Sequence, residues 1–363
     1  MSMKVKIGDI TKIKTGKLDA NASSVNGVYP FFTCSKEPLK ISTYSYDCEC
    51  VLIAGNGDLN VKYYNGKFDA YQRTYIIEND NSKVLYMPYL YYFMEGYVEK
   101  LREQAIGGVI KYIKLGNLTD ALIELPDKNT QQYIVKIFEK VKGIIGLRKK
   151  VLEKLDNLIK ARFVEMFGDP SINPKKYTVQ PLSTIAKYWN GLTYKPEDVS
   201  KEGIIVLRSS NIQNDQLDFS DTVRVNCRIA ENKFVKDNDI LMCSRNGSAK
   251  LVGKVALIKN LPKAMSFGAF MMIIRSVYYP YLMTYFQMPA FRAQIITGAT
   301  TTINQITGKM LDNVKLPIPD LSEIKEYLAF IQQVDKSKFV KINLVIYKNI
   351  IYYRISWFFD DKL

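Results

Sequence analysis

Apolar and polar positions alternate in short runs along the chain, and the period of that alternation changes after each of two prolines. Val51–Ala54, Val61–Tyr64 and Thr74–Glu78 are β-branched or aromatic runs punctuated by Asn-Gly and Gly-Asp turns, which predicts strands. Ile204–Arg208, Ile240–Cys243, Lys254–Ile258 and Phe270–Arg275 repeat the pattern later. Helices open at Pro88-Tyr89-Leu90 and Pro280-Tyr281-Leu282: proline is tolerated in a first turn, and Tyr89, Tyr92 and Phe93 recur at helical spacing. Each stretch begins with a short strand-like segment and returns through a strand ending at Leu125-Pro126 or Leu316-Pro317.

Beyond Pro126 the period lengthens. Ile134, Phe138, Val141, Ile145, Leu152, Leu155, Ile159 and Met166 form an alternating three–four ladder, with Arg148 and Arg162 where the apolar seam is interrupted. The run holds no proline from Thr130 to Phe167, which predicts a helix of about 38 residues, about 57 Å long. Gly168-Asp169-Pro170 stops it. After Pro319, Ile324, Leu328, Ile331, Ile342 and Val345 continue a seam of the same kind. Antiparallel pairing of the two helices buries both seams.

The chain also repeats itself. Val51-Leu52-Ile53-Ala54-Gly55-Asn56-Gly57 has a counterpart in Ile240-Leu241-Met242-Cys243-Ser244-Arg245-Asn246-Gly247. Tyr86–Phe93 returns as Tyr278–Phe286, Arg102-Glu103-Gln104 as Arg292-Ala293-Gln294, and Ile123–Pro126 as Val314–Pro317. Ile10-Thr11-Lys12 and Gly16 pair with Ile185-Ala186-Lys187 and Gly191 at a shorter offset, which places extra residues of the second copy in Ser209–Asp221. The repeats run from Lys4 to Pro126 and from Tyr177 to Pro317. A repeat of domain size means duplication, and two similar surfaces suit two similar targets.

Composition narrows the chemistry. Of the 363 residues, 51 are Lys or Arg against 36 Asp or Glu, a net charge of +15 that points to a polyanionic partner. Histidine is absent, which removes Ser-His-Asp and Cys-His pairs, HExxH zinc sites and any histidine base. The five cysteines (Cys34, Cys48, Cys50, Cys227, Cys243) form no CxxC pair and read as reduced core thiols. The most apolar stretch, Phe267–Phe286, is broken by Arg275 and Pro280, so a soluble, cytoplasmic protein with no membrane partner is expected. No GxxxxGK[ST] occurs. Gly55-Asn56-Gly57-Asp58 reads as a turn, since the second copy puts Arg245 at its first glycine. Pro319-Asp320 with Glu323-Ile324-Lys325 imitates a PD…ExK nuclease signature, but both carboxylates fall in one opening helical turn, where negative charge is favoured anyway.

What remains are basic and polar residues beside turns: Asn56, Asn60, Lys62, Tyr63, Lys67 and Arg73 in the first repeat, Arg208, Ser244, Arg245, Asn246, Lys250 and Lys254 in the second. Such side chains pair with base edges or hold phosphates, and these twelve are the candidate DNA-binding residues. No catalytic and no metal-binding residue is assigned.

At this point the residues resemble a family, the specificity subunits of Type I restriction–modification systems, over essentially the whole chain. The marks are Gly107-Gly108-Val109-Ile110-Lys111-Tyr112-Ile113 followed by Leu125-Pro126, then Gln131-Gln132-Tyr133-Ile134, then Phe163–Pro170. Leu316-Pro317-Ile318-Pro319 and Gln332–Phe339 resemble a second conserved region. The departures are Glu326, standing where the family's second helix carries glutamine, and a tail after Lys341 unlike the family's closing helix, which suggests a truncated or divergent end. The resemblance implies an α+β fold: two similar mixed α/β target recognition domains separated by two long antiparallel helices forming a coiled-coil spacer. Its expected boundaries are 1–126 and 170–319 for the domains, 127–169 for the central helix and 320–363 for the C-terminal one. It implies a non-catalytic subunit that reads a bipartite site on double-stranded DNA. Two methyltransferase (modification) subunits and restriction/translocase subunits are the implied partners; they, not this chain, bind S-adenosylmethionine, ATP and Mg²⁺. A protein-binding adaptor without readout, or a stand-alone DNA-modifying enzyme, are the alternatives left open.

Overall fold

Alternation along a strand sends neighbouring side chains to opposite faces of a sheet, and this fixes where the chain places its cores. A computed structural model of the protein describes residues 3–80, 83–296 and 305–338. These fall into two compact units that divide between Lys149 and Lys150.

In the first unit, Met3–Lys6 pairs antiparallel with Leu122–Leu125, tying the first strand to the last. Between them lies a six-stranded sheet ordered Thr11–Thr15, Thr74–Asn79, Tyr46–Ala54, Val61–Ala70, Tyr29–Phe32, Leu39–Ile41. Val51 and Ile53 face the helix Met87–Gln104 and pack with Leu90, Phe93 and Met94. Cys50 and Leu52, one residue out of phase, enter a second core with Phe32, Phe68 and Ile76.

The second unit is built the same way. Val179–Pro181 pairs antiparallel with Lys315–Pro317. A four-stranded sheet runs Lys187–Asn190, Met271–Arg275, Ile240–Cys243, Val255–Leu257. Ile240 and Met242 pack with Tyr281, Leu282 and Tyr285 of the helix Tyr279–Tyr285, while Leu241 and Cys243 join Ile205, Leu207 and Phe267 on the other face. The matching extends to single residues. Phe32 pairs parallel with Ala70, as Leu207 does with Phe267. Ala54 faces Thr74, as Cys243 faces Met271. Gly16 and Gly191 are both required by space: a Cβ there would lie 2.2 Å from the Ala70 oxygen or 2.1 Å from the Phe267 oxygen. The Ser209–Asp221 stretch contains a short turn and the hairpin Ile212–Gln213/Gln216–Leu217.

The long helix spans Lys128–Phe167, 40 residues, or about 60 Å at 1.5 Å per residue. Asp127 caps it by accepting from Thr130 N (3.0 Å), and Gly168 ends it in the left-handed region at φ 75°. The expected seam divides its work. Ile134 and Phe138 pack into the first unit's core, Phe138 stacking on Tyr92 at 4.7 Å, together with Val135, which lies off the seam. Near the other end Phe163 and Phe167, also off the seam, are buried in the second unit.

A further helical run covers 321–338. Tyr327 OH donates to Ile159 O (3.2 Å), Arg162 pairs with Glu326 (2.7 Å) and Lys338 with Asp156 (2.5 Å), so within this unit the two helices run antiparallel. Ile342, Val345 and the expected course of the second helix beyond 338 lie outside the described residues. One residue match needs correction. Ile324 N bonds Asp320 O as Gln131 N bonds Asp127 O, so buried Ile324, not exposed Glu326, stands where the first helix has glutamine. Glu323 accepts from Asp320 N (3.2 Å) and Tyr177 OH (2.7 Å), as a helix-capping carboxylate does.

Candidate nucleic-acid interface

The end of strand Tyr46–Ala54 is held by backbone bonds that also decide which residues stand beside it. Gly55 N donates to Arg73 O (2.8 Å), Ile113 N to Gly55 O (2.9 Å) and Gly57 N to Lys111 O (2.9 Å). A Cβ on Gly55 would lie 2.4 Å from the Arg73 oxygen, so close approach, not a phosphate cradle, explains this glycine. Asn56 follows, with its Oδ1 accepting from Cys34 Sγ at 2.8 Å. Asn60 Nδ2 donates to Cys34 O and Asp58 O, both at 2.8 Å, and Lys62 Nζ donates to Asn60 Oδ1. Burial pushes the Lys62 ammonium below the usual lysine range. Arg73 lies exposed at the turn before strand Thr74–Asn79.

The structure thus gathers Asn56, Asn60, Lys62 and Arg73 around Cys34. Tyr63 and Lys67 are not part of that group. Tyr63 donates to Glu49 (2.6 Å), and burial together with that carboxylate pushes its phenol up. Lys67 sits farther along the strand, opposite Asp47 and over the Tyr44 ring at 4.6 Å.

In the second unit Ser244 N donates to Phe270 O (2.9 Å) and Ile306 N to Ser244 O (2.7 Å), the bonds that Gly55 makes in the first. Ser244, not Arg245, therefore matches the first glycine of the Gly-Asn-Gly turn, and Arg245 matches Asn56. Ser244 is buried, with its hydroxyl on Phe270 O (2.9 Å). Arg245 is exposed, and its guanidinium lies 5.3 Å from the Phe270 ring centroid. Asn246 Nδ2 donates to Ser209 Oγ (3.2 Å), drawing in Arg208, whose guanidinium pairs with Asp221 (2.8 Å). Lys254 Nζ is bound to Ile212 O at 2.6 Å, and Lys250 is exposed on the turn between.

Sequence reasoning missed Phe270 and Cys34. Phe270 was expected in a strand; it lies instead in the turn before Met271, 60% exposed, at the position matched to Arg73. Only the backbone pairing reveals that match, because the two copies differ in length between the paired strands. The segment Gly107–Ile113, which carries part of the family resemblance, is bonded to the Gly55–Gly57 turn and exposes Val109 and Ile110. Among the described residues no group of His, Cys, Asp or Glu is placed to hold a metal ion, and no helix is long and apolar enough to cross a membrane.

Known proteins share both the sequence and the fold. The specificity subunit of the Type I restriction enzyme EcoDI from Escherichia coli is 38% identical over 156 residues, 43% of this chain and 34% of that one. The EcoKI specificity subunit of Escherichia coli is 30% identical over 178 residues, 46% of this chain and 38% of that one. The match therefore spans little more than a third of those relatives. The MjaVIII specificity subunit of Methanocaldococcus jannaschii is 20% identical over 91% of this chain and 85% of its own. Among solved structures, the S subunit of a Type I restriction–modification system from M. genitalium superposes with a TM-score of 0.58 at 14% identity, over 98% of this chain and 94% of that one. Residues 2–157 and 174–345 each match one sequence family, and the chain accordingly belongs to the Type I restriction modification DNA specificity domain family.

Proposed function

We propose that this chain is the sequence-specific DNA-binding specificity subunit of a Type I restriction–modification complex. Each unit reads one half of a bipartite target, and partner subunits carry out adenine methylation or cleavage there. The observation that carries the reading is the same strand-end turn built twice, each time with an exposed arginine, on a chain of net charge +15. Two copies of one surface suit two half-sites, and positive charge supplies the salt-dependent attraction to phosphate.

In this reading residues 1–126 and 170–319 are the target recognition domains, and the helices at 127–169 and from 320 onward are the spacer. Reading one groove face favours half-sites about one DNA turn apart, about 34–36 Å. The twelve basic and polar residues above contribute unequally, since Ser244, Lys254 and Asn60 already hold the protein's own backbone. The chain supplies no chemistry of its own. S-adenosylmethionine, ATP and Mg²⁺ belong to two methyltransferase subunits and to restriction subunits, and the protein acts in the cytoplasm.

Methylome sequencing of a host expressing the chain with its modification subunits tests this. Two short methylated motifs at a fixed gap are expected. Methylation that is absent, or unchanged by deleting the chain, overturns the reading. Inserting one helical turn between Gly143 and Lys150 should alter the gap and leave both half-sites intact.

A further inference from the structure

The matched turns offer the same two positions in both units, one on each arm, all of them exposed except the half-buried Asn56. In the first unit they hold Asn56 and Arg73; in the second, Arg245 and Phe270. The arginine has changed arms. Isolated bridges fix the geometry further, with Asn56 opposite Tyr112 and Arg245 opposite Gln305. Arg102, Arg162, Arg208 and Arg275 each pair with a carboxylate. Arg73 and Arg245 do not: no carboxylate among the described residues pairs with either.

An exposed guanidinium fixed at its backbone and lacking an acid partner presents its planar fork to whatever binds. Phe270 supports Arg245 from below, its ring 5.3 Å from the guanidinium carbon, which limits the side chain's freedom before binding. The fork matches the O6 and N7 atoms of guanine in the major groove. Phosphate is the competing acceptor, since its oxygens also take a bidentate guanidinium, but the exposed Lys36, Lys111 and Lys250 already place ammonium groups near these turns.

We infer that Arg73 and Arg245 are the guanine-reading side chains of the first and second units, on opposite arms of equivalent turns. The remaining positions complete each head. Asn56 suits adenine through its amide, and Phe270 offers an apolar edge to a thymine methyl group. The two units thus read different base orders from one backbone frame, and the order follows from which arm carries the arginine.

This assignment rests on the DNA-reading function proposed above. The test selects the purified full-length chain, and its Arg73→Gln and Arg245→Gln variants, against a random duplex library at one fixed salt concentration. Glutamine keeps a bidentate amide that suits adenine. Each variant should exchange guanine for adenine at one position of one half-site, leave the other half-site unchanged, and lose about ten- to hundredfold affinity for the original sequence. Both side chains are exposed, so unchanged urea midpoints confirm intact folding. Equal weakening on every sequence with a shallower salt dependence means phosphate contacts and overturns the assignment. Wild-type preferences that neither variant alters overturn it as well, while leaving the DNA-reading function standing. A flat wild-type profile overturns both.

Discussion

Replacing Gly191 by alanine puts the duplicated architecture to a direct energetic test. The added Cβ would stand 2.1 Å from Phe267 O and 2.4 Å from Gly268 O, with backbone on both counts and no flexible side chain to yield. The chain must move apart by about an ångström to restore normal contact. That movement stretches the bonds from Leu192 N to Phe267 O (2.7 Å) and from Gly191 N to Met271 O (3.1 Å). Two weakened hydrogen bonds and an overpacked sheet together cost about 3–5 kcal/mol. Trp189 lies two residues away and reports on this unit, so urea unfolding of the Trp357→Phe background can be followed by fluorescence. With a slope of about 2 kcal/mol per molar, the midpoint should fall by about 1.5–2.5 M. Gly16→Ala, whose Cβ would meet Ala70 O at 2.2 Å, should loosen the first unit by a similar amount in hydrogen exchange. Gly96→Ala is the control. It lies in a helix with no described atom within 4 Å of its Cβ, and should stabilise by about 0.5–1 kcal/mol. A Gly191→Ala midpoint within about 0.3 M of the parent would refute the close-approach argument.

Other consequences are sharper than they look in the sequence. Gln131 is fully buried; it accepts from Tyr86 N at 2.8 Å and donates to Val84 O and Pro126 O at 2.7 Å. Gln131→Leu should destabilise by about 3 kcal/mol and speed exchange of the Tyr86 amide, because three backbone groups lose their partner. Tyr327→Phe removes a hydroxyl shared by Thr284 (2.9 Å) and Ile159 O (3.2 Å), and should lower the Trp189-monitored stability by about 1–2 kcal/mol. Hydroxyls of Thr130, Ser171 and Ser220 hold the carboxyls of Asp127, Asp169 and Asp218 below the usual aspartate range. A depressed folded value means their contribution is present above the unfolded value of about 3.9 and lost as pH falls through the folded values. The triple Thr130→Val, Ser171→Ala, Ser220→Ala variant should therefore show a flatter acid limb in urea midpoints measured against pH; an unaltered limb would count against these caps.

Much of this protein was legible one residue at a time. Strands at Val51–Ala54, Val61–Tyr64 and Ile240–Cys243 follow from β-branched alternation, and the long helix from a ladder without proline ended by Gly168. The repeat could be read because packing conserves apolar positions and close approach conserves Gly16 and Gly191. Local period is a property of neighbouring residues, and sequence carries it whole.

Pairing across the chain is a different kind of information. The match of Phe270 with Arg73, and of Arg245 with Asn56, exists only in backbone hydrogen bonds between segments whose spacing differs in the two copies. The same holds for Phe163 and Phe167, which the helical period leaves off the seam yet the second unit's core takes in. It holds again for Ser244, Asn60 and Lys254, polar residues whose hydrogen-bonding groups are occupied by backbone or neighbouring side chains. Sequence alone determined which elements form and that they form twice. The tertiary structure decided which side chains face solvent unpaired, because that depends on what long-range packing brings within hydrogen-bond reach.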